Sequence, residues 1–162
     1  TPLMVTIRPS DYQPFLDRGY TVFAVVTSSQ PKFTIPELMQ DVHRAVRFVR
    51  ANAATYGIRP DRLGMLGSSS GGQLTLSIAT QGGPGNPNAE DPVERVSSEV
   101  HAVACFFPPT DCRNCGGPGI NGVGAGPMAP LQVAFGPRAL LPSEREALGR
   151  EISPIYFITS RL

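Results

Sequence analysis

The run Leu63-Gly64-Met65-Leu66-Gly67-Ser68-Ser69-Ser70-Gly71-Gly72-Gln73-Leu74 constrains this chain more than any other. A short apolar stretch ends in Gly-x-Ser-x-Gly, and an apolar, helix-compatible segment follows at once. That order predicts a strand, a sharp turn and a helix, with a serine hydroxyl exposed at the end of a sheet, the arrangement of a nucleophile elbow. Counting through Gly67-Ser68-Ser69-Ser70-Gly71 puts the nucleophile at Ser69. The turn is tight and strained, so the positions two before and two after the serine favour residues without a side chain. Both are glycine. Gly72 is expected to let the new helix approach the neighbouring strands closely.

The flanks fit the same architecture. Residues 3–7 are a short apolar run, and a helical turn is predicted through Phe15 and Leu16. Tyr20 to Thr27 is almost continuously apolar and rich in β-branched and aromatic residues, which predicts a strand buried on both faces, as in a parallel sheet. Thr34-Ile35-Pro36-Glu37 is a capping box with proline in the first turn. Leu38, Val42, Ala45, Val46, Val49 and Ala53 then form one apolar helix face, with Arg44, Arg47 and Arg50 largely on the other side. Gly57 is the expected C-terminal stop, and Pro60-Asp61 turns the chain into a strand over Arg62 to Leu66.

After the elbow a helix is predicted from Gly71 to about Ala79, then a turn-rich surface segment from Gln81 to Ser98. A third buried strand is predicted over His101 to Phe107, ending at Pro108-Pro109-Thr110-Asp111. Two βαβ units in tandem define an α/β fold with a parallel sheet, helices on its faces and right-handed crossovers. The pattern changes after Asp111. Residues 112–130 are glycine-rich and aperiodic, and residues 112–151 together read as an irregular, lid- or cap-like segment. A short helix over Glu144 to Arg150 is expected, with Ser143 as its cap and Glu146 as the capping-box partner.

Bulk properties exclude several functions. With 14 Lys and Arg against 13 Asp and Glu, the 162 residues carry a net charge near +1, which gives no basic field for nucleic acid and no polybasic membrane anchor. No apolar run is long enough to span a bilayer. The chain starts at Thr1 with no visible leader, which leaves its compartment open. Cys105, Cys112 and Cys115 are an odd number, not a disulfide framework. Cys112 and Cys115 have Cys-x-x-Cys spacing but lead into a glycine-rich loop without a second pair, and they read as loop residues rather than a metal or redox site. No cofactor-binding motif is present.

The segments Gly19-Tyr20-Thr-Val-Phe-Ala-Val, Asp41-Val-His43-Arg-Ala-Val-Arg-Phe and Tyr56-Gly57-Ile-Arg-Pro60-Asp61-Arg62-Leu63-Gly64, with the elbow itself, resemble the α/β-hydrolase superfamily in its esterase/lipase and prolyl-oligopeptidase-like branch. The resemblance covers residues from about 15 to 111 well and the remainder loosely. It implies that Ser69 is the catalytic nucleophile and that the N–H of Ser70 is one of two oxyanion-hole donors. Ser70 stands where alanine is usual, and Gln73 where a histidine often follows the paired glycines. Gln73 is expected to serve packing or hydrogen bonding.

The rest of the expected machinery is not evident. In this fold the triad runs serine, acid, histidine, but the two histidines are His43, before the serine, and His101, at the amino end of a predicted strand. Both read as structural. Asp111 lies at the carboxyl end of the strand after the elbow, where some hydrolases place the acid, with a loop-capping role as the alternative. The His-Gly-Gly type oxyanion motif is replaced by Arg8-Pro9-Ser10-Asp11. The ending over Ile152 to Ile158 resembles the approach to the family's acid-bearing strand. The expectation is an incomplete α/β-hydrolase domain over 1–162, from a carboxylesterase acting on small-molecule esters, with the triad acid and histidine outside this chain. A serine peptidase of the prolyl-oligopeptidase type and a non-catalytic hydrolase-fold protein remain the alternatives.

Overall fold

A computed structural model describes residues 8–28, 32–115 and 117–159; the apolar run at 3–7 lies outside them. The chain opens with a 3₁₀ turn, Pro9–Tyr12, and one turn of helix, α1 (Gln13–Leu16), where the sequence expected it. Then α2 (Ile35–Ala51) begins at the predicted capping box. Glu37 Oε2 accepts the Thr34 backbone N–H at 2.6 Å and the Thr34 hydroxyl at 2.8 Å. Leu38, Met39 and Val42 are its buried residues. The helix breaks at Asn52 and resumes as α3 (Ala53–Tyr56), which Gly57 ends in the left-handed conformation at φ 64°. Gly57 N–H bonds to the Ala54 carbonyl and Ile58 N–H to the Ala53 carbonyl, the double bond of a Schellman cap.

The elbow strand, β1 (Gly64–Ser68), starts two residues later than expected, and α4 (Ser70–Gln81) follows after Ser69 alone. β2 (Ala102–Phe106) pairs with β1 in parallel, Gly64 opposite Ala102 and Ser68 opposite Phe106. The α4 helix packs across one face of this pair. Beyond β2, α5 (Gln132–Phe135) and α6 (Pro142–Glu151) are separated by 3₁₀ turns. Their Phe135 and Leu148, together with Cys112, Val123, Ala139 and Ile152, join Leu38, Met39, Val42, Leu74 and Ile78 in one hydrophobic core. The glycine-rich stretch is irregular as expected, yet its Val123 is fully buried. No helix among the described residues is long and apolar enough to cross a membrane.

Three expectations are corrected. Tyr20 to Thr27 is extended but forms no ladder with a described strand, and Tyr20 and Val26 are more than half exposed. Among the described residues α2 and α3 lie against it, through contacts such as Phe23 on Tyr56 (ring centroids 4.9 Å apart) and Ser28 N–H to Asp41 Oδ2 at 3.0 Å. An apolar segment becomes a doubly buried strand only when partners cover both faces. β2 differs for the same reason: its faces are incompletely covered, and Val103 and Phe106, which point to opposite sides, are 39% and 56% exposed. The α6 helix starts at Pro142, whose fixed φ suits the first helical position, so Ser143 lies inside it and makes no cap. Glu146 pairs with Arg113 instead. The arginine face of α2 lies away from its buried residues, as expected, and docks on the segment before β2. Arg44 and Arg47 hold Glu94 at 2.9 Å each, and Arg50 donates to the Ser97 and Glu99 carbonyls. These contacts fix the loop that leads into β2.

Candidate active site

Ser69 stands alone between the last residue of β1 and the first of α4. Its backbone is at φ 53°, ψ −123°, a left-handed conformation that a residue with a β-carbon adopts only under constraint. Two hydrogen bonds supply that constraint: Ser69 N–H donates to the Phe106 carbonyl at 3.0 Å, and the Ser69 carbonyl accepts from Gln73 N–H at 3.0 Å. The first ties the turn to the end of β2 and the second makes Ser69 the start of the helix. Both Ser69 and Ser70 are exposed at the carboxyl end of the strand pair, where ligands of open α/β sheets bind.

The glycines act unequally. A β-carbon on Gly67 would lie 2.5 Å from the Gly71 carbonyl carbon and 2.6 Å from Thr75 Oγ1, and it would also strike the Gly71 carbonyl oxygen. A β-carbon on Gly72 would lie 3.1 Å from Pro108 Cβ and 3.3 Å from the Gly67 and Phe106 carbonyl oxygens, which is the close approach expected of it. At Gly71 the same test meets nothing within 4 Å, and its φ is not positive. The steric reason given for both motif glycines therefore holds at 67 and fails at 71. There the backbone carbonyl is what must pass close to residue 67.

Electrostatics at this end come from the helix. Ser70 is the first residue of α4, so its N–H has no carbonyl four residues back within the helix and lies at the positive end of the macrodipole. Such an N–H beside an exposed serine hydroxyl is suited to stabilising negative charge that develops on a nearby oxygen. Gln73, 4% exposed, donates from Nε2 to the Ile152 carbonyl at 2.8 Å and approaches Cys112 Sγ at 3.7 Å. It is a packing and hydrogen-bonding residue, as expected, and it ties the elbow helix to the segment after α6.

Neither histidine comes near this end. His43, on α2, shares a 2.9 Å hydrogen bond from Nδ1 with Ser98 Oγ. Burial, aided by Arg47 and opposed by Glu94, pushes its pKa down. His101 precedes β2 and accepts the Leu63 N–H on Nδ1 at 3.2 Å. It sits at the amino end of the strand pair, and five residues at about 3.3 Å each put it roughly 17 Å from the elbow.

Asp111 lies beyond the carboxyl end of β2. It accepts from Tyr156 Oη at 2.9 Å, the Arg113 N–H at 3.1 Å and Asn114 Nδ2 at 2.6 Å. Burial tends to raise its pKa, but the hydrogen bonds from Asn114, Tyr156 and the Arg113 backbone prevail and hold the carboxyl below its ordinary value. Arg8-Pro9-Ser10-Asp11 forms an exposed turn with an Arg8–Asp11 ion pair at 3.4 Å and offers no oxyanion loop. Among the described residues no group of three or more His, Cys, Asp or Glu side chains is placed to hold a metal ion.

Two features at this end carried no sequence signal. The Phe106 carbonyl anchors Ser69 across the strand pair, a partnership set only by the parallel register. Phe107 adopts φ 38° and is 78% exposed beside that anchor; nothing in a run of apolar residues marks a left-handed phenylalanine.

Comparisons with known proteins bear on the family and the fold. The BD-FAE family matches residues 5–162. Esterase LipQ of Mycobacterium tuberculosis is 31% identical over 111 residues, 66% of this chain and 26% of that protein. The probable carboxylic ester hydrolase LipM of the same organism is 30% identical over 89 residues, 55% of this chain and 20% of that one. Among solved structures, a truncated form of a carbohydrate esterase from gut microbiota superposes with a TM-score of 0.66 at 26% identity, over 83% of this chain and 49% of that one. A bifunctional GH43-CE protein of Bacteroides eggerthii gives 0.67 at 28% identity, over 91% and 20%. The matched stretch is thus 26% or less of these curated relatives and 49% or less of these solved chains.

Proposed function

The chain belongs to the BD-FAE family, within the α/β-hydrolase esterases, and from that premise we propose that it is the nucleophile-bearing part of a serine-dependent carboxylic-ester hydrolase. The observation that carries the reading is the conformation of Ser69. It is exposed, strained and held between the Phe106 carbonyl and the first turn of α4. A serine is kept in that conformation where its hydroxyl must reach a substrate.

In the proposed reaction Ser69 Oγ attacks the ester carbonyl carbon while Ser70 N–H donates to the oxygen that becomes negative. The carbon–alkoxide bond breaks, the alcohol leaves with a proton, and water then cleaves the acyl–Ser69 bond. The proton of Ser69 needs a base. His43 and His101 are occupied at the other end of the sheet, so we assign the triad histidine and its acid to residues outside these 162. Residues 112–151 take the role of a cap-like wall, starting at the carboxyl end of β2 and tied to the elbow helix through Gln73. One solved neighbour is described as a carbohydrate esterase, and acyl esters carried on carbohydrates are therefore the substrates to test first.

The test is p-nitrophenyl acetate and acetylated xylan hydrolysis by two polypeptides: these 162 residues, and the longest gene product that contains them. The long form is expected to be active and to lose roughly 10⁴-fold or more of kcat on Ser69→Ala. The 162 residues alone are expected to show no turnover. Unchanged activity in the Ser69→Ala variant would refute the nucleophile. Strong Ser69-dependent turnover by the short form would refute the external base.

A further inference from the structure

Cys112 belongs to the hydrophobic core, but its Cys-x-x-Cys spacing with Cys115 serves neither the core nor the proposed hydrolysis. Cys112 is 2% exposed, whereas Cys115, three residues on, is exposed to solvent. The two cysteines flank one turn, and both border Gly122. The surrounding loop holds them there. Gly122 N–H bonds to the Cys112 carbonyl at 2.8 Å, and Gly122 lies so close to Cys115 that a β-carbon on it would be 2.5 Å from Cys115 Cβ and 3.4 Å from its sulfur. Cys112 N–H is fixed by Ser153 Oγ at 2.8 Å, and Cys115 Sγ reaches the Asp111 carbonyl at 3.2 Å. One thiol is thus sheltered, the other is open to solvent, and the backbone between them is closed on Gly122, where only glycine fits.

We propose that Cys112 and Cys115 form a reversible intramolecular disulfide on the loop that follows β2, with a small-molecule disulfide such as oxidised glutathione as oxidant. The exposed Cys115 sulfur attacks one sulfur of the oxidant. A mixed disulfide forms, and the first glutathione leaves as a thiolate that takes up the Cys115 proton. Cys112 sulfur then attacks the Cys115 sulfur, the Cys112–Cys115 bond forms, and the second glutathione departs with the Cys112 proton. Two protein thiols are oxidised and one oxidant disulfide is reduced to two thiols. The order follows from exposure, since Cys112 can meet the Cys115 sulfur but not a bulky oxidant. Burial pushes the Cys112 thiol up to about 12 and that of Cys115 in the same direction, so the reduced pair gains no thiolate stabilisation. That favours persistence of the disulfide once made. Oxidation also removes the S–H group that faces the Asp111 carbonyl, so it acts on the turn that carries this carboxylate. The inference is independent of the proposed hydrolysis.

The test is incubation of the folded chain with oxidised glutathione, alkylation under denaturing conditions and tryptic mass spectrometry. Trypsin cuts after Arg113, between the two cysteines, so the disulfide appears as peptide 96–113 joined to peptide 114–138. The expected result is that joined pair, about 2 Da lighter than its two reduced halves, with alkylatable thiols falling from three to one. It should persist in Cys105→Ser and vanish in Cys115→Ser, an exposed position that leaves the core intact. Three alkylated thiols, a glutathione adduct that stays on peptide 114–138, or a joined pair that disappears in Cys105→Ser would each overturn the proposal.

Discussion

Replacing Gly67 by alanine separates the two glycines of the elbow motif, and its cost can be worked from the structure. The new methyl would lie 2.5 Å from the Gly71 carbonyl carbon and 2.6 Å from Thr75 Oγ1, where ordinary contact begins at 3.4 Å. The first turn of α4 would therefore have to retreat by about 1 Å or more. It is not free to do so. Ser69 N–H is held by Phe106, Gly72 is already against Pro108, and Gln73 is tied to the Ile152 carbonyl. Overpacking of this kind costs about 1–3 kcal/mol, and each hydrogen bond lost as the helix moves adds about 1 kcal/mol. A loss of about 4 kcal/mol is expected, a large share of a typical domain's stability. Gly71→Ala is the control. Its methyl meets open space and its backbone is helical, so it should be neutral or stabilising by up to about 1 kcal/mol. Urea unfolding followed by far-UV circular dichroism reads both. With a slope near 2 kcal/mol per molar, the Gly67→Ala midpoint should fall by about 2 M relative to Gly71→Ala. Equal midpoints, or a greater loss at 71, would refute the reasoning.

Ser69→Gly should be more stable than Ser69→Ala by about 1 kcal/mol, because glycine relieves the φ 53° strain that alanine keeps; differential scanning calorimetry checks this. Gln73→Leu should cost about 2 kcal/mol, since it leaves the Ile152 carbonyl without its buried donor; the same urea assay reads it. The Glu37 carboxyl is held below its ordinary value by the backbone N–H and then the hydroxyl of Thr34. Its folded pKa is lower than its unfolded one, so its contribution to stability is complete above pH 4.5 and is lost as pH falls through the lower folded value. Urea midpoints of the unaltered chain should drop across that window more steeply than those of Glu37→Gln.

What the sequence revealed and what it did not follow from the range of the interactions. The Thr34–Glu37 box, the Gly57 stop and the Gly67–Gly71 turn each close within a few residues, and all three stand where the pattern put them. Tyr20–Thr27 and β2 were legible as extended apolar segments but not as exposed ones, because burial belongs to the partner and not to the segment. The α6 cap was misplaced where two local signals competed and Pro142 prevailed over Ser143. The arginines of α2 were legible as a polar face, while their docking on Glu94 and the 96–99 backbone depends on residues nearly fifty positions away. At the site, Ser69 was visible because strand, turn and helix are consecutive. Its anchor on Phe106, and the tie from Gln73 to Ile152, depend on register and packing that no local pattern encodes.

The same division explains why the conformation of Ser69 can be fixed locally, whereas the triad proposed for it cannot. Everything that fixes Ser69 lies within β1, α4 and the end of β2: one cross-strand hydrogen bond, one intrahelical bond, and a glycine contact between 67 and 71. A triad differs in kind, since its members come from the carboxyl ends of different strands and meet only when the sheet is assembled. The elbow is therefore the one part of such a site whose geometry a two-stranded parallel pair can fix alone. The uncovered sides of Leu66, Phe106 and Phe107, each more than half exposed, lie on or next to that pair. Further strands and helices of an α/β sheet would cover such faces, and the remaining catalytic groups would arrive on those elements. Completion of the site and burial of the sheet are, on this reasoning, one event.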